Sequence, residues 1–145
     1  MPGIYTKYCF ILLVCMLCVM NRAWANEHYQ VITHPDVVEK NLSVNSLRAI
    51  FSMHLKTWPD GRLIKVFVLT DNDPLHQKFS KERLNVFPYQ LRSVWDRLVY
   101  SGTGQAPVSL SSNSEMLARV SSTPGSIGYI DTSFINGHVN VLQIK

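Results

Sequence analysis

Cysteine is nearly missing from this 145-residue chain. The only three, Cys9, Cys15 and Cys18, lie within residues 1–25. If this segment is removed, the rest of the chain has no thiol that could form a disulfide, bind a metal ion or act as a nucleophile. Its stability must then come from the burial of apolar surface.

Sequence patterns typical of enzymes are also lacking. The chain has no Gly-x-Ser-x-Gly turn, no Gly-rich loop followed by Lys, no His-Glu-x-x-His and no carboxylate pair spaced for shared acid and base chemistry. The histidines show no pair at a spacing that places two metal ligands on one face, and we expect them to be scattered on the surface: His28, His34, His54, His76 and His138. We therefore expect no enzyme, no metal site and no cofactor.

Strong charge of either sign is likewise missing. The chain has 14 basic and 10 acidic residues, and removal of residues 1–25 takes away Lys7 and Arg22, which leaves a small basic excess. The basic residues form no long run and are not interleaved with aromatic side chains as in a stacking platform. We therefore expect no nucleic-acid partner.

What the N-terminus does contain is the pattern of a secretory signal peptide. Lys7 precedes an apolar run at residues 8–20, and Ala23 and Ala25 supply small residues for cleavage after Ala25. A retained membrane anchor is the less favoured interpretation, because a spanning helix needs roughly 20 apolar residues. We expect residues 1–25 to be removed, with residues 26–145 forming one periplasmic domain.

Periodicity and turn residues divide residues 26–145 into alternating strands and helices. The predicted strands lie at residues 29–33, 63–69, 127–130 and 139–144. The predicted helices begin after Ser43, after Asp73, at Pro88 and after Ser112. This order predicts an α/β fold in which helices pack on a small mixed sheet.

Several local patterns make this prediction specific. The run at residues 63–69 is apolar without alternation, which predicts an interior strand covered on both faces. In the helix from Pro88, the core-facing stripe is Leu91, Val94, Trp95 and Leu98. Ser112 and Glu115 have the spacing of a reciprocal capping box, and Asn136-Gly137 is a preferred pair for a hairpin turn between the last two strands.

Two stretches carry a resemblance to a known family. Leu47-Arg48-Ala49-Ile50-Phe51 with Thr57-Trp58-Pro59-Asp60-Gly61, and Ser122-Thr123-Pro124-Gly125-Ser126-Ile127-Gly128-Tyr129-Ile130, resemble the phosphate-type substrate-binding proteins of ABC uptake systems. The resemblance covers about residues 31–130. Proteins of this family are two lobes that close on a ligand, and residues 26–145 are long enough for only one of them. The resemblance therefore implies a single periplasmic-binding-protein-like lobe with half of a cleft.

The same resemblance locates the family's anion site and shows a departure from it. In the phosphate-binding relatives a strand ends in Arg and leads to Ser-Gly-Thr at a helix start, where free amides hold the anion. Alignment on Phe79 places Leu69 at the Arg position and Asp73-Pro74-Leu75 at the Ser-Gly-Thr positions. Pro74 lacks an amide hydrogen, and Asp71 and Asp73 repel an oxyanion. We therefore expect no tight phosphate binding here.

Two loops are predicted to line the half-cleft. Its predicted residues are Thr70, Asp71, Asn72, Asp73, Leu75 and His76, together with Ser101, Gly102, Thr103 and Gly104. Structural roles compete with this interpretation, because Asp73 can cap a helix and Gly102 can terminate one. A calcium loop from Asp71 to Glu82 is disfavoured, since Leu75 and His76 stand where a ligand and a glycine are needed. A further hypothesis stays open, in which the acidic turn with Asp71 and Asp73 contacts a cationic solute or a basic patch on a partner protein.

Two functions remain open from the sequence. The first is a non-catalytic periplasmic module that holds a small solute weakly or not at all. The second is an interaction module that docks on a membrane transporter or sensor, which loss of the anion site favours. A second copy of the chain is a further candidate partner, because a lone lobe exposes its cleft face. A hydrolase with an unrecognised site is the least favoured interpretation.

Overall fold

The computed structural model describes residues 28–145, so the predicted signal peptide at residues 1–25 lies outside the described part. Six strands form one sheet: β1 (Tyr29–Thr33), β2 (Asn41–Leu42), β3 (Lys65–Leu69), β4 (Val108–Leu110), β5 (Ser126–Asp131) and β6 (Asn140–Ile144). Their order in the sheet is β2-β6-β1-β5-β3-β4. The sheet is mixed, because β3 runs parallel to β4 and β5, whereas β1 runs antiparallel to β5 and β6.

Helices connect and cover the strands. They are α1 (Val44–Phe51), α2 (Pro74–Lys78), which continues as a π-helix (Phe79–Leu84), α3 (Pro88–Tyr100) and α4 (Asn113–Ser122), with a short 3₁₀ turn at Thr132–Phe134. The predicted α/β class with a small mixed sheet is thus confirmed. Within residues 28–145, no helix combines the length and the apolar character needed to cross a bilayer.

The predicted helix caps form, with one change. The hydroxyl of Ser43 accepts from the Ser46 amide at 3.0 Å, and that of Ser112 accepts from the Glu115 amide at 3.1 Å. The Glu115 carboxylate, however, accepts from the amide and hydroxyl of Ser111, both at 2.8 Å. The reciprocal half of the predicted capping box is therefore shifted by one residue, to Ser111.

The core lies on both faces of the sheet, as successive side chains of β5 show. Gly128 faces α4, where a β-carbon placed at this glycine would lie 2.5 Å from the sulfur of Met116. Tyr129 points to the opposite face and stacks on Phe79 of the π-helix, with ring centroids 3.9 Å apart. In β3, all residues except Lys65 are buried, which confirms an interior strand covered on both sides.

The two stretches that carry the family resemblance contact each other. The indole Nε1 of Trp58 donates to the carbonyl of Gly125 at 2.9 Å, and the Gly125 amide donates to the Asp36 carboxylate at 3.1 Å. Gly125 has φ of +72°, a left-handed conformation that glycine adopts without strain. These motif residues therefore hold the turn before β5 in place, which is a structural role.

The predicted hairpin at Asn136-Gly137 is wrong. Strands β5 and β6 do not pair with each other, because β1 lies between them and pairs with both. The side chain of Asn136 instead accepts a hydrogen bond from the His138 amide at 3.0 Å, in a local turn.

Strands β2 and β4 are additional to the prediction. Both are short edge strands, and their pairing depends on distant residues.

Candidate functional site

The turn from Thr70 to Asp73 follows the carboxyl end of β3 and leads into α2. Asp71 in this turn forms a two-pronged ion pair with Arg92 of α3, in which Nε and Nη2 of the guanidinium each donate to one carboxylate oxygen at 2.8 Å. The hydrogen bonds from Arg92 hold the pKa of Asp71 below its usual value. The negative charge of Asp71 is therefore neutralised by Arg92, whereas the sequence suggested that it had no cationic partner.

Asp73 occupies the start of α2 with its own side chain. Its carboxylate accepts from the Leu75 amide at 2.8 Å, and its backbone amide donates to the Thr70 carbonyl at 2.9 Å. Pro74, the first helical residue, has no amide hydrogen. The Leu75 amide at the start of α2 is thus directed to an internal carboxylate. Asn72 and Thr70 are exposed, and Leu75 is partly buried.

His76 is the only one of the predicted site residues that is fully buried, with 1% of its surface exposed, so the expectation of a surface histidine is wrong for it. Its Nδ1 is hydrogen-bonded to the hydroxyl of Tyr129 on β5. That hydroxyl also accepts from the Leu69 amide at 2.9 Å and keeps its own hydrogen to donate. We assign this hydrogen to the bond with His76, so that Nδ1 is the acceptor and Nε2 carries the proton of the neutral ring.

Replacement of Tyr129 with phenylalanine tests this chain of hydrogen bonds. The ring packing on Phe79 is kept, but the buried Leu69 amide and His76 Nδ1 lose their partner. We expect the free energy of unfolding to fall by about 2 kcal/mol, because each unsatisfied buried polar group costs ~1–3 kcal/mol. Chemical denaturation measures it, and the exposed Tyr89→Phe is the matched control. Equal stability of the two variants would contradict the assigned hydrogen bonds.

The second ring nitrogen of His76 faces the ion pair. Nε2 lies 3.9 Å from a carboxylate oxygen of Asp71 and has no hydrogen-bond partner among the described residues. Burial lowers the pKa of His76, and the nearby Asp71 carboxylate opposes this effect only in part. Burial also raises the pKa of Tyr129. In the cluster of Asp71, His76, Arg92 and Tyr129, a neutral imidazole therefore lies next to the ion pair between Asp71 and Arg92.

A pH dependence of stability follows from the lowered pKa of His76. Below about pH 6.5 the unfolded chain binds a proton at this histidine that the folded chain does not, so the unfolded state is favoured as the pH falls. We expect the stability to fall with pH in this window by up to about 1.4 kcal/mol per unit. Denaturation at pH 7.5 to 5 measures the slope. It should be reduced in His76→Gln and kept in the exposed control His54→Gln.

A cavity of about 550 Å³ opens between α2 and α3, next to this turn. Asp71 and Arg92 form one wall, and Lys81 of the π-helix lies on another. Phe87 and Tyr89, at the start of α3, are both exposed and stack on each other with centroids 5.7 Å apart. Of the predicted residues Thr70 to Asp73, Asp71 alone lines this cavity.

The second predicted loop does not join this cavity. Ser101 and Gly102 follow the far end of α3, where Gly102 has φ of +69° and ends the helix, and the Ser101 hydroxyl lies 2.7 Å from that of Thr103. Gly104 lines a separate cavity of about 490 Å³. The structure therefore groups Asp71, Asp73, Leu75 and His76 together but separates them from Ser101 to Gly104.

Sequence reasoning missed two members of the site. Arg92 lies 21 positions after Asp71, on a helix whose periodicity reveals only the apolar stripe. Tyr129 stood inside a recognised motif, but its hydroxyl contacts depend on how β5 packs against α2. Among residues 28–145, no three His, Cys, Asp or Glu side chains are grouped so that they could hold a metal ion.

Comparison with known proteins agrees with this architecture. A family model described as a PBP superfamily domain matches residues 21–138, and the chain belongs to this family. No curated protein matches the sequence. Similar solved structures include an ABC-type phosphate transport receptor from Vibrio cholerae (TM-score 0.64, 15% identity) and a putative phosphate ABC transporter substrate-binding protein with bound phosphate from Clostridium perfringens (TM-score 0.67, 16% identity).

The chain spans less than half of these structures. It aligns over 81% of its own length but only 46% and 44% of theirs, and PstS from Borrelia burgdorferi gives the same result, with 47% covered, 19% identity and a TM-score of 0.64. At such low identities the likeness shows the fold. The predicted resemblance is confirmed by the family match, and residues 28–145 cover one lobe of this fold.

Proposed function

We propose that residues 26–145 form a non-catalytic binding module of the periplasm, released by removal of residues 1–25, in which the anion site of the phosphate-binding relatives is degenerate. The observation that carries the proposal is the Asp73 carboxylate seated on the Leu75 amide at 2.8 Å. A negative side chain thereby takes the place where an oxyanion would meet the helix start. Pro74 removes a further donor.

The surrounding charges support the same interpretation. Leu69 stands at the position where the relatives resembled by this sequence have Arg. The guanidinium of Arg92 directs Nε and Nη2 to Asp71 and is therefore largely committed to an internal carboxylate. An incoming phosphate would have to compete with Asp71 for Arg92 and with Asp73 for the amide. We infer that the turn from Thr70 to His76 does not hold phosphate tightly.

Calorimetric titration of the protein with inorganic phosphate tests this proposal. We expect no saturable heat at micromolar phosphate for the natural sequence. The double variant Asp71→Asn/Asp73→Ser keeps a helix cap, removes both carboxylates and frees Arg92, so phosphate binding should increase measurably. The control Asp60→Asn/Glu82→Gln removes the same charge elsewhere and should not bind.

Two outcomes would contradict the proposal. Micromolar phosphate binding by the natural sequence would show a working anion site. A double variant that folds but gains no affinity would show that the two carboxylates are not what excludes oxyanions. Thermal denaturation of each variant establishes folding in both cases.

A second candidate function is docking on a membrane transporter or sensor. The observation that favours it is a set of exposed apolar side chains at the two ends of α3, where Phe87, Tyr89, Val99 and Tyr100 are 51–89% exposed. A photo-crosslinking residue at Tyr100, compared with one at Lys145, tests this role in membranes of the source cells. A second copy of the chain is the other candidate partner, and sedimentation of the purified protein distinguishes the two.

A further inference from the structure

The cavity of about 490 Å³ lies at the opposite end of β3 from the turn at Thr70 to Asp73. It forms because β4 begins to pair with β3 only at Phe67, opposite Val108. Nearer the start of β3, the neighbouring chain segment is Lys56 and Thr57, where the Lys56 carbonyl accepts from the Ile64 amide at 2.8 Å. The outer edge of β3 is thus left open between these two segments.

The lining of this cavity is mostly apolar. Side chains from the turn after α1, from β3 and from the segment before β4 contribute, among them Met53, Leu63, Val66, Ala106 and Val108. Leu63 is 67% exposed and Val108 47%, so apolar surface reaches the mouth of the cavity. This cavity has a volume in the range of small-molecule sites and a largely apolar lining, which are the general features of a ligand pocket.

All ionisable side chains that line the cavity are cationic. Lys56, Lys65 and Arg119 contribute to the lining, and no carboxylate does. Lys56 and Lys65 are exposed, and the Arg119 guanidinium lies 5.5 Å from the centre of the Phe67 ring. Glu115, one turn before Arg119 on α4, does not line the cavity: its carboxylate accepts from Ser111, and these hydrogen bonds together with the charge of Arg119 lower the Glu115 pKa. Three cations therefore lie around an apolar cavity without an acidic partner in it.

We propose that this cavity binds a small apolar anion, meaning a molecule with one acidic group and an alkyl or aryl body. The apolar body fills the gap beside β3, and the acidic group meets Lys56, Lys65 and Arg119. Charge complementarity selects the sign of the ligand, because an apolar cation would be repelled by all three side chains. This site is separate from the turn at Thr70 to Asp73, and its occupancy does not depend on the phosphate proposal.

Calorimetric titration of the full protein at low salt with octanoate is the direct test. We expect saturable binding of octanoate and weaker or undetectable binding of octanol and octyltrimethylammonium, which share the alkyl chain. The variant Lys56→Gln/Lys65→Gln should weaken octanoate binding about tenfold. Because these lysines are exposed, folding should be kept, and the control Lys40→Gln/Lys145→Gln removes the same charge outside the cavity.

A second variant tests the cavity independently of charge. Ala106→Phe places a ring in the gap and should abolish octanoate binding while the melting temperature stays near that of the natural sequence. The proposal is overturned if octanoate does not bind, if the cationic analogue binds equally, or if the lysine variant matches its control. Binding of an acidic, apolar peptide without binding of octanoate would also overturn it, in favour of a protein partner.

Discussion

Replacement of Trp95 with alanine is expected to lower the free energy of unfolding by about 3 to 5 kcal/mol. Trp95 is fully buried on α3, and its indole Nε1 donates to the Phe51 carbonyl at the end of α1 at 2.8 Å. The truncation removes a large apolar ring, leaves a cavity and deprives a buried carbonyl of its donor. Each effect acts in the same direction.

Chemical denaturation followed by circular dichroism measures this loss. Tyr100→Ala on the same helix is the matched control, because its side chain is 89% exposed and truncation there should change stability by less than about 0.5 kcal/mol. A Trp95→Ala variant as stable as the Tyr100→Ala variant would mean that α3 packs with a different face.

Replacement of Gly128 with valine is expected to cost about 3 kcal/mol, at the upper end of the usual range for overpacking. A β-carbon at this position would lie 2.5 Å from the sulfur of Met116 and 3.2 Å from a methyl group of Val120. Both neighbours are fully buried, so Met116 has little space into which it can move. Valine adds two further methyl groups to the same contact, and α4 would have to move away from β5.

Gly137→Val is the control for this second substitution. A β-carbon at Gly137 meets no atom within 4 Å, so the same change in side chain should be tolerated there. Thermal denaturation of the two variants side by side measures the difference. If Gly128→Val melts as the natural protein does, the close approach of α4 to β5 is not required for stability.

Much of the fold could be predicted because the information was local. Side-chain oxygens at Ser43, Asp73 and Ser112 cap helices within two or three residues of their own position. The apolar run at residues 63–69 is buried as it predicts except at Leu63 and Lys65. The hairpin prediction failed for the opposite reason. Asn136-Gly137 allows a tight turn, but β1 competes for the same edges of β5 and β6 and pairs with both.

The candidate site was predicted less well, since its residues interact over long separations in sequence. Asp71 looked like an exposed acid until α3 placed Arg92 within 2.8 Å of it. His76 looked like a surface histidine because nothing near it in sequence indicates the contact with Tyr129, 53 positions later. The structure does not bring residues 70–76 together with Ser101 to Gly104. The first segment contacts α3 near its start, through Arg92, whereas the second follows the far end of α3.

The sequence by itself determined the helix caps, the class of fold and the family, because each of these depends on a few adjacent residues. Its departure from the family's anion-binding pattern at Leu69 and Asp73-Pro74-Leu75 stays a prediction. Only the tertiary structure decided the strand order, the charge state around Asp71 and the neutral, buried His76. It also produced the cationic apolar cavity beside β3. The physical reason is that burial, ion pairing and cavity formation depend on atoms brought together from distant parts of the chain.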